Sequence, residues 1–379
     1  MKIGKSLLIL ILSLLLFGLI IISNSTVVSS NNLYGFPYRF ALLQLSWIVL
    51  GMIGFWIFYH FDYHKLEKAS LPLFIISTTF LLTLGIVGIL SCDISPSFSP
   101  CINGANRWLY LNPSPLPKIP FLGVLGFQPA EFTKLSLILF LSFGINKYIN
   151  SKKNPFWFYL ISTGICSFLV LLQPNMSTAA MLFLIGTSMY FSSGVSLKEF
   201  FIAIPITMIS LLLAIFISPY RRARFLTLLG GDASSDLSSG YHIKQVLLSL
   251  GSGGILGVGF GQSKQKFDYL PEVASDSIFA VIGEEFGFIG TTAVVIAFAF
   301  LVFLGLRVAK SAKDTSGKLI SVGVTSWIGF QFFINVAAMT KIIPLTGVPI
   351  PLISYGGSSI LFLLVSLGIL CNIEKQNRE

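Results

Sequence analysis

The chain contains 379 residues, of which 54% are hydrophobic and only 11% are charged. Soluble domains carry roughly 25% charged residues, so this composition excludes a water-soluble enzyme and predicts a polytopic membrane protein. The formal net charge of +10 comes without a basic tract or basic–aromatic interleaving, which argues against nucleic-acid binding. In a membrane protein, excess Lys and Arg more often orient the loops and contact anionic lipid headgroups.

Apolar runs of about 20 residues, long enough to cross ~30 Å of hydrocarbon, recur along the chain. We therefore predict an all-α membrane protein and one membrane domain over residues 1–379. The first run follows Lys2 and Lys5 like a signal peptide, but it lacks a small-residue cleavage motif, so we interpret it as a retained helix. The ten predicted spans are residues 6–28, 40–61, 70–91, 130–148, 155–173, 176–194, 199–218, 276–306, 319–341 and 354–373.

The distribution of basic residues predicts the orientation. An even number of spans places both termini on one side, and the short loops of that side carry most of the Lys and Arg. The opposite short loops carry little beyond Arg39, Arg107, Lys118 and Lys341. The positive-inside rule therefore places both termini in the cytoplasm.

Two extracytoplasmic loops are long, about 92–129 and 219–275, the second lying between spans 7 and 8. Connections longer than about 12–15 residues are usually functional or disordered, and these two lack low-complexity bias, which favours function. Within the second loop, the pattern of residues 240–254 predicts a short amphipathic helix that lies at the membrane interface and ends at glycines.

The four cysteines show no metal-ligand spacing. Cys166 and Cys371 lie in apolar runs and are predicted to be buried. Cys92 and Cys101 bracket a short polar stretch, and the sequence is consistent both with a disulfide between them and with two free thiols.

Two ionisable residues, Glu131 and Lys134, lie at the outer end of the fourth span in FQPAEFTKLSLILFLSFG. Charges at such places are costly, and a separation of three residues puts both on one helical face, where they can pair. One interpretation is a structural ion pair. The other is a pair that lines a polar cavity for a charged substrate.

Asp276 lies at the outer start of the eighth span, in YLPEVASDSIFAVIGEEFGFIG. Helix capping alone would account for most aspartates at such a position. Glu284 and Glu285, deeper in the same helix, favour a functional interpretation. A carboxylate in a partly desolvated outer cavity has the proton affinity that a general base needs.

Basic residues gather on the same side of the membrane. Arg221, Arg222 and Arg224 follow the seventh span, with Lys264 and Lys266 further along. Arg clusters suit phosphate recognition, whereas lipid-headgroup anchoring is the simpler explanation for at least one of the three.

Prolines and glycines interrupt residues 342–359, IIPLTGVPIPLISYGGSS. This pattern predicts broken helix at membrane depth, which is tolerated where the backbone lines a cavity or is covered by protein. Ser354 and Tyr355 would supply hydroxyls there. A Pro-kinked turn between the last two spans is the alternative.

These motifs together resemble the SEDS family (shape, elongation, division and sporulation), the FtsW/RodA/SpoVE group of bacterial cell-wall polymerases. The matching blocks are GANRW at 104–108, FQPAEFTK at 127–134, QPNMSTA at 173–179, residues 240–290 and residues 344–359. They run in order over most of the chain, and as a set they are highly specific.

The resemblance implies a peptidoglycan glycosyltransferase in the bacterial cytoplasmic (inner) membrane that joins lipid II into glycan strands on the outer face. It marks Asp276 as catalytic, the general base on the acceptor's GlcNAc 4-hydroxyl, with inversion and loss of undecaprenyl diphosphate. The implied partners are a class B penicillin-binding protein, which is a transpeptidase, and other division or elongation proteins.

Further residues are expected to contact the substrate. Glu131 would hold Lys134, and the basic side chains would offset diphosphate charge, either alone or with a divalent cation, Mg2+ or Mn2+. The expected substrate-binding residues are Glu131, Lys134, Trp108, Arg107, Gln128, Arg221, Arg222, Arg224, Gln245, Lys264, Ser354 and Tyr355.

This sequence departs from the family pattern at several positions. Ala130 replaces the usual Ser, Asn175 replaces the usual Asp of the P-D-x-G-T motif, and Ser177 replaces its Gly. Ala274 and Ser275 stand where the family has His-Thr. No carboxylate role can therefore be carried over to residue 175.

Three alternatives remain open. The uninterrupted GVGFGQSKQKFDYLPE resembles the division-type FtsW branch, with an elongation-type RodA-like polymerase as the alternative. Broken helices and buried charges also occur in transporters, so a lipid-linked precursor flippase is a second hypothesis. A noncatalytic scaffold for division proteins is a third.

Overall fold

The computed structural model describes residues 3–89, 95–102, 104–117, 125–195, 198–199, 201, 222, 228, 237–267 and 270–378. Over these residues the protein consists of helices and one short antiparallel ribbon. The helices are α1 Ile3–Ser25, α2 Val27–Tyr34, α3 Arg39–His60, α4 Leu66–Ile89, α5 Pro129–Asn150, α6 Phe156–Leu171, α7 Met176–Ser192, α8 Leu237–Ser252, α9 Ile278–Ser311, α10 Thr315–Met339 and α11 Gly357–Gln376. The ribbon pairs β1 (Leu109–Tyr110) with β2 (Gly126–Phe127), and a 3-10 turn at Tyr63–Lys65 precedes α4.

Nine of these helices coincide with predicted spans. Seven in the described part of the chain are long and apolar enough to cross a membrane: α1, α3, α4, α5, α9, α10 and α11. α6 and α7 are apolar but shorter. The tenth predicted span, 199–218, lies almost wholly outside the described residues. The prediction of a helical, multi-span protein is confirmed, while the count of ten and the cytoplasmic termini stay predictions.

The centre of the bundle is formed by α5, α10 and α11, which bury most of their residues, whereas α3 and α4 bury only about a quarter of theirs. Helices in lipid associate through close packing rather than through the hydrophobic effect, so small residues at their contacts matter. A Cβ added at Gly368 of α11 would lie 2.5 Å from the carbonyl oxygen of Phe55 in α3. That contact therefore depends on a glycine.

Helix α9 is interrupted at Gly287, whose φ of 64° and ψ of −160° suit only glycine. The chain just after α8 inserts its backbone into the gap and replaces the helical hydrogen bonds that the break removes. The four replacement bonds are Val258 N–H to Glu284 O, Gly259 N–H to Glu285 O, Phe288 N–H to Gly254 O and Ile289 N–H to Ile255 O. The break is thus fully hydrogen-bonded, as a buried backbone requires.

Between α10 and α11 the chain is not helical, and residues 340–356 are called the broken segment here. It reaches into the bundle: a Cβ at Gly18 of α1 would lie 2.6 Å from the Cα of Ile353. Gly18 lies seven residues, about 10 Å, before the end of α1. The predicted break in helical structure is confirmed, and buried residues such as Ile350 and Leu352 cover it with protein, while its depth in the membrane stays a prediction.

Two smaller predictions are also confirmed. The predicted amphipathic helix is α8, which ends where the glycines begin. Cys166 and Cys371 are buried free thiols. Cys101 is disulfide-bonded, which decides between the two alternatives for that residue, whereas Cys92 lies outside the described residues.

Candidate functional site

Asp276 lies in the turn that leads into α9, and its residue is 7% exposed. The N-cap position of α9 is occupied by Ser277, whose side chain makes no capping hydrogen bond. The Ser275 hydroxyl lies 3.2 Å from Asp276 Oδ1 and 3.0 Å from Glu272 Oε2, so its single proton is shared between the two carboxylates. The N-cap position predicted for an aspartate here is therefore taken by Ser277.

The turn is tied to α8 through Ser277. The Ser277 hydroxyl donates to the carbonyl oxygen of Pro271 at 2.8 Å. His242 of α8 lies 2.7 Å from the same hydroxyl through its Nε2. Because the serine proton is used on Pro271, the histidine nitrogen acts as the donor. This chain of hydrogen bonds fixes the start of α9 against α8.

The same turn is tied to α10 and to the broken segment. The Asn335 side-chain amide of α10 donates both to the carbonyl oxygen of Asp276, at 2.8 Å, and to that of Val348, at 2.7 Å. The backbone N–H of Tyr355 donates to the carbonyl oxygen of Ala274 at 2.8 Å. Asn335 therefore contacts Asp276 directly, while α8 and the broken segment hold its neighbours Ser277 and Ala274.

Glu131 and Lys134 form the predicted ion pair, with 2.7 Å between Lys134 Nζ and Glu131 Oε1. The ammonium also donates to Gln331 Oε1 at 3.0 Å and lies 4.6 Å from the centre of the Trp327 ring. Lys134 is fully buried, so in this conformation the pair lies between α5 and α10 rather than on an open surface. Glu131 Oε2 has no hydrogen-bond partner within the described part of the chain.

The ion pair connects to the broken segment through Gln331. The Gln331 amide nitrogen donates to the carbonyl oxygen of Pro349 at 2.9 Å, while its oxygen accepts from Trp327 Nε1 at 2.6 Å. Gln331 and Asn335 lie one turn apart on α10 and hold consecutive carbonyls, those of Pro349 and Val348. Sequence analysis missed both amides, although polar side chains in an apolar span are the available signal.

Arg107 lies between α4 and α5 and binds the turn between α6 and α7, donating to the carbonyl oxygens of Gln173 at 3.1 Å and Pro174 at 2.8 Å. Trp108 beside it is half-buried. Asn175 in that turn caps α7 by accepting from the Thr178 N–H at 3.2 Å. The amide that replaces the usual family carboxylate therefore has a capping role.

Gln128 begins α5, and its N–H donates to the Ser358 hydroxyl of α11 at 3.2 Å. Ser354 accepts from the Ile350 N–H within the broken segment at 2.8 Å. The Tyr355 ring packs edge-on against Phe40 of α3. These predicted residues lie around the broken segment, on the same side as Asp276.

Other predicted site residues are not brought to Asp276 by any described contact. Gln245 is half-exposed on α8, and the Lys264 side chain is exposed. Arg222 is exposed, and Arg221 and Arg224 lie outside the described residues.

The two deeper glutamates have partners of their own. Glu284 accepts hydrogen bonds from the hydroxyls of Ser249 and Ser263 and from the Lys264 N–H. Glu285 forms an ion pair with Lys266 at 2.9 Å and accepts from the Asn24 amide at 2.6 Å. Buried charges are expected to be paired in this way. The two carboxylates attach residues 263–266 to α9 and α1.

The β ribbon between α4 and α5 places the Tyr110 ring against Gly126, where an added Cβ would lie 2.7 Å from the ring. Burial raises the pKa of the Tyr110 phenol.

The described residues contain no group of three or more His, Cys, Asp or Glu side chains placed to hold a metal ion by themselves. Carboxylate and carbonyl oxygens are the ligands that such ions prefer. No step of the chemistry is therefore assigned to a metal.

The comparison with known proteins agrees with the resemblance stated above. The sequence model of the FtsW/RodA/SpoVE family, described as "Cell cycle protein", matches residues 5–379. The chain is 33% identical over 388 residues to stage V sporulation protein E of Bacillus subtilis (strain 168), covering 100% of this chain and 99% of that protein. It is 30% identical over 381 residues to a probable peptidoglycan glycosyltransferase FtsW of Geobacter sp. (strain M18), covering 99% and 98%.

The fold has a counterpart among solved structures. A chain from a structure entitled "Structural coordination of polymerization and crosslinking by a peptidoglycan synthase complex" superposes with a TM-score of 0.76 at 22% identity, covering 99% of this chain and 98% of that one. The match extends over the whole bundle. From the family match over nearly the full length and the identity to curated relatives, the chain belongs to the FtsW/RodA/SpoVE family of cell cycle proteins.

Proposed function

We propose that the protein is a peptidoglycan glycosyltransferase that polymerises lipid II into glycan strands on the outer face of the bacterial cytoplasmic membrane, in septal wall synthesis. The family membership supports the activity, and the relatives include probable peptidoglycan glycosyltransferases FtsW. The observation that carries the proposal is the position of Asp276. The residue lies where α9, α10 and the broken segment meet: Asn335 of α10 holds its backbone carbonyl, and its carboxylate lies beside Gly347 of the broken segment.

In the proposed reaction, Asp276 accepts the proton of the GlcNAc 4-hydroxyl of the acceptor lipid II. The oxygen attacks the anomeric carbon of the growing chain's MurNAc from the face opposite the leaving group. The bond between that carbon and the undecaprenyl diphosphate oxygen breaks, its electron pair leaves with the diphosphate, and the configuration inverts. A positioned general base contributes about 10²–10⁴-fold to such a step.

The other residues act on the substrate or on the geometry of the site. We assign diphosphate binding to Arg222 and Lys264, whose exposed side chains are free to reach a headgroup, together with Arg221 and Arg224. Lys134 contributes through Gln331 and the broken segment, because direct contact with substrate requires the closed pair to open. The sugar cleft is assigned to Arg107, Trp108, Gln128, Gln245, Ser354 and Tyr355.

The test compares two carboxylates, Asp276 at the start of α9 and Glu67 in the first turn of α4. Asp276→Asn preserves size and removes the base, so glycan polymerisation by the full chain in liposomes is expected to fall at least about 100-fold. Glu67→Gln, at an exposed carboxylate remote from the turn, is the matched control and is expected to keep wild-type activity. A folded Asp276→Asn variant that polymerises lipid II at the wild-type rate would overturn the assignment.

The contacts of the buried charges favour the polymerase over the transporter. Glu284 and Glu285 are buried charges that a transporter would use to couple ions, and each carboxylate accepts hydrogen bonds from protein donors. Side chains that bind and release a coupling ion need to exchange partners during transport. The polymerase proposal requires no such exchange at these positions.

We also propose a class B penicillin-binding protein, a transpeptidase, as the partner, among other division or elongation proteins. The support is that the chain's fold matches a chain of a peptidoglycan synthase complex, and the name of that structure describes the coordination of polymerization and crosslinking. A chain that makes glycan strands and a chain that crosslinks them act on the same product. Co-purification of the two from detergent-solubilised membranes tests this, and a chain that elutes without any transpeptidase contradicts it.

A further inference from the structure

A glycine of the broken segment lies directly beside the Asp276 carboxylate. A Cβ added at Gly347 would lie 3.8 Å from Asp276 Oδ2. Gly347 is exposed, whereas Asp276 is buried. The carboxylate is therefore reached from outside past the backbone of residue 347.

Neither the backbone nor the packing explains a glycine at this position. The φ of Gly347 lies outside the left-handed region that only glycine adopts readily. A contact of 3.8 Å is ordinary van der Waals separation, and among the described residues the Asp276 carboxylate is the one group that a Cβ would meet within 4 Å. Gly357, by contrast, is required by packing, since a Cβ there would lie 2.4 Å from the Trp47 ring.

Hydrogen bonds from α10 fix the distance between Gly347 and Asp276. Asn335 donates to the carbonyl of Asp276 and to that of Val348, the residue after Gly347. Gln331 holds the next carbonyl, that of Pro349. A side chain at residue 347 therefore cannot be accommodated by moving the segment away without breaking buried hydrogen bonds, which are costly to leave unmade.

We infer that residues 346–348 form the wall of the acceptor-sugar subsite, and that the missing side chain of Gly347 is what admits the acceptor hydroxyl to Asp276. This inference rests on the proposed function. A general base must lie about 2.6–3.2 Å from the hydroxyl oxygen that it deprotonates. A methyl group 3.8 Å from the same carboxylate oxygen occupies part of the space through which a sugar ring would bring that hydroxyl.

The first experiment is a size series in lipid II polymerisation by the full chain in liposomes. Gly347→Ala is expected to lower kcat/KM about tenfold and Gly347→Val about 100-fold, since misplacing a reacting group by ~1 Å costs on the order of 10²-fold. The control is Gly356→Ala in the same segment, where φ is 177° and the nearest neighbour of a Cβ is Ser359 at 3.5 Å. Wild-type activity of a folded Gly347→Val variant would overturn the inference.

The second experiment measures access without using activity. Asp276→Cys is labelled with a water-soluble methanethiosulfonate reagent, alone and together with Gly347→Val or Gly356→Ala. The native thiols Cys166 and Cys371 are buried, and Cys101 is disulfide-bonded, so the unmodified chain gives the background. We expect Gly347→Val to slow labelling at least about tenfold, in proportion to the expected loss of substrate access, and Gly356→Ala to leave it unchanged.

The two experiments separate the possible failures. If Asp276→Cys is labelled equally fast with and without Gly347→Val, or is not labelled at all, residues 346–348 do not control access to residue 276. Either result overturns the inference even if Asp276→Asn is inactive. An active Asp276→Asn variant overturns the proposed function, while the labelling rates still decide whether residue 347 controls access to residue 276.

Discussion

Asn335 and Gln331 show how single side chains shape the site. Each is buried on α10, and each donates from its amide nitrogen to a backbone carbonyl of the broken segment. Irregular backbone inside a membrane protein leaves carbonyls that no helix satisfies, so side chains must supply the donors. The two amides make the broken segment possible, and Asn335 extends the same support to Asp276.

We predict that the buried Lys134 contributes more to the free energy of unfolding than an exposed lysine does. Lys134→Met removes the partner of the buried Glu131 carboxylate and is expected to destabilise the protein by about 3–5 kcal/mol, as breaking other buried pairs does. Thermal unfolding in detergent measures the loss. Lys68→Met, at an exposed lysine of α4, is the matched control and should leave the unfolding temperature within error.

A double variant shows whether the lost stability comes from the unpaired Glu131 carboxylate or from lost packing of the Lys134 side chain. Adding Glu131→Gln to Lys134→Met removes the uncompensated charge, so the double variant is expected to recover most of the stability. If the double variant is as unstable as Lys134→Met alone, the cost comes from packing around Trp327 and not from the stranded carboxylate.

At the scale of elements, the inserted backbone at the break in α9 is the most constrained feature. Gly287→Ala would place a Cβ 2.4 Å from the backbone nitrogen of Gly257 and 2.5 Å from the carbonyl oxygen of Ile255. The backbone conformation alone costs a non-glycine residue about 1–3 kcal/mol, and the contact with immobile backbone adds to this. A large fall in unfolding temperature is expected.

Gly164→Ala is the control for that substitution. Gly164 lies within α6, and an added Cβ would meet nothing within 4 Å. Alanine there is expected to stabilise the protein by about 0.5–1 kcal/mol, because glycine is unfavourable inside a helix. If Gly287→Ala and Gly164→Ala change the unfolding temperature equally, the break in α9 does not require glycine at residue 287.

The orientation of the whole molecule is a prediction with a direct measurement. Leu111 and Lys310 are exposed at opposite ends of the bundle, beside the outer ribbon and at the far end of α9. The positive-inside rule predicts that a membrane-impermeant maleimide labels Leu111→Cys in intact cells, and Lys310→Cys only after the membrane is opened. The unmodified chain supplies the background. The reverse pattern would place the termini outside and the site in the cytoplasm.

The sequence by itself determined what depends on local spacing and composition. Helical apolar runs predicted nine of the described helices, a three-residue separation predicted the Glu131–Lys134 pair, and prolines with glycines predicted the broken segment. Each of these follows from interactions within one turn or one run of residues. Conversely, the sequence left the use of Glu284 and Glu285 open.

Only the tertiary structure decided which distant residues meet. Asn24 donates a hydrogen bond to Glu285, 261 residues away, and Asn335 donates one to the backbone carbonyl of Asp276, 59 residues away. An apolar face that meets lipid and one that meets another helix have the same composition, because lipid tails are as apolar as leucine. Hydropathy therefore located the helices but could not say that α5, α10 and α11 are the most buried of them, or that Gln331 and Asn335 of α10 hold the broken segment.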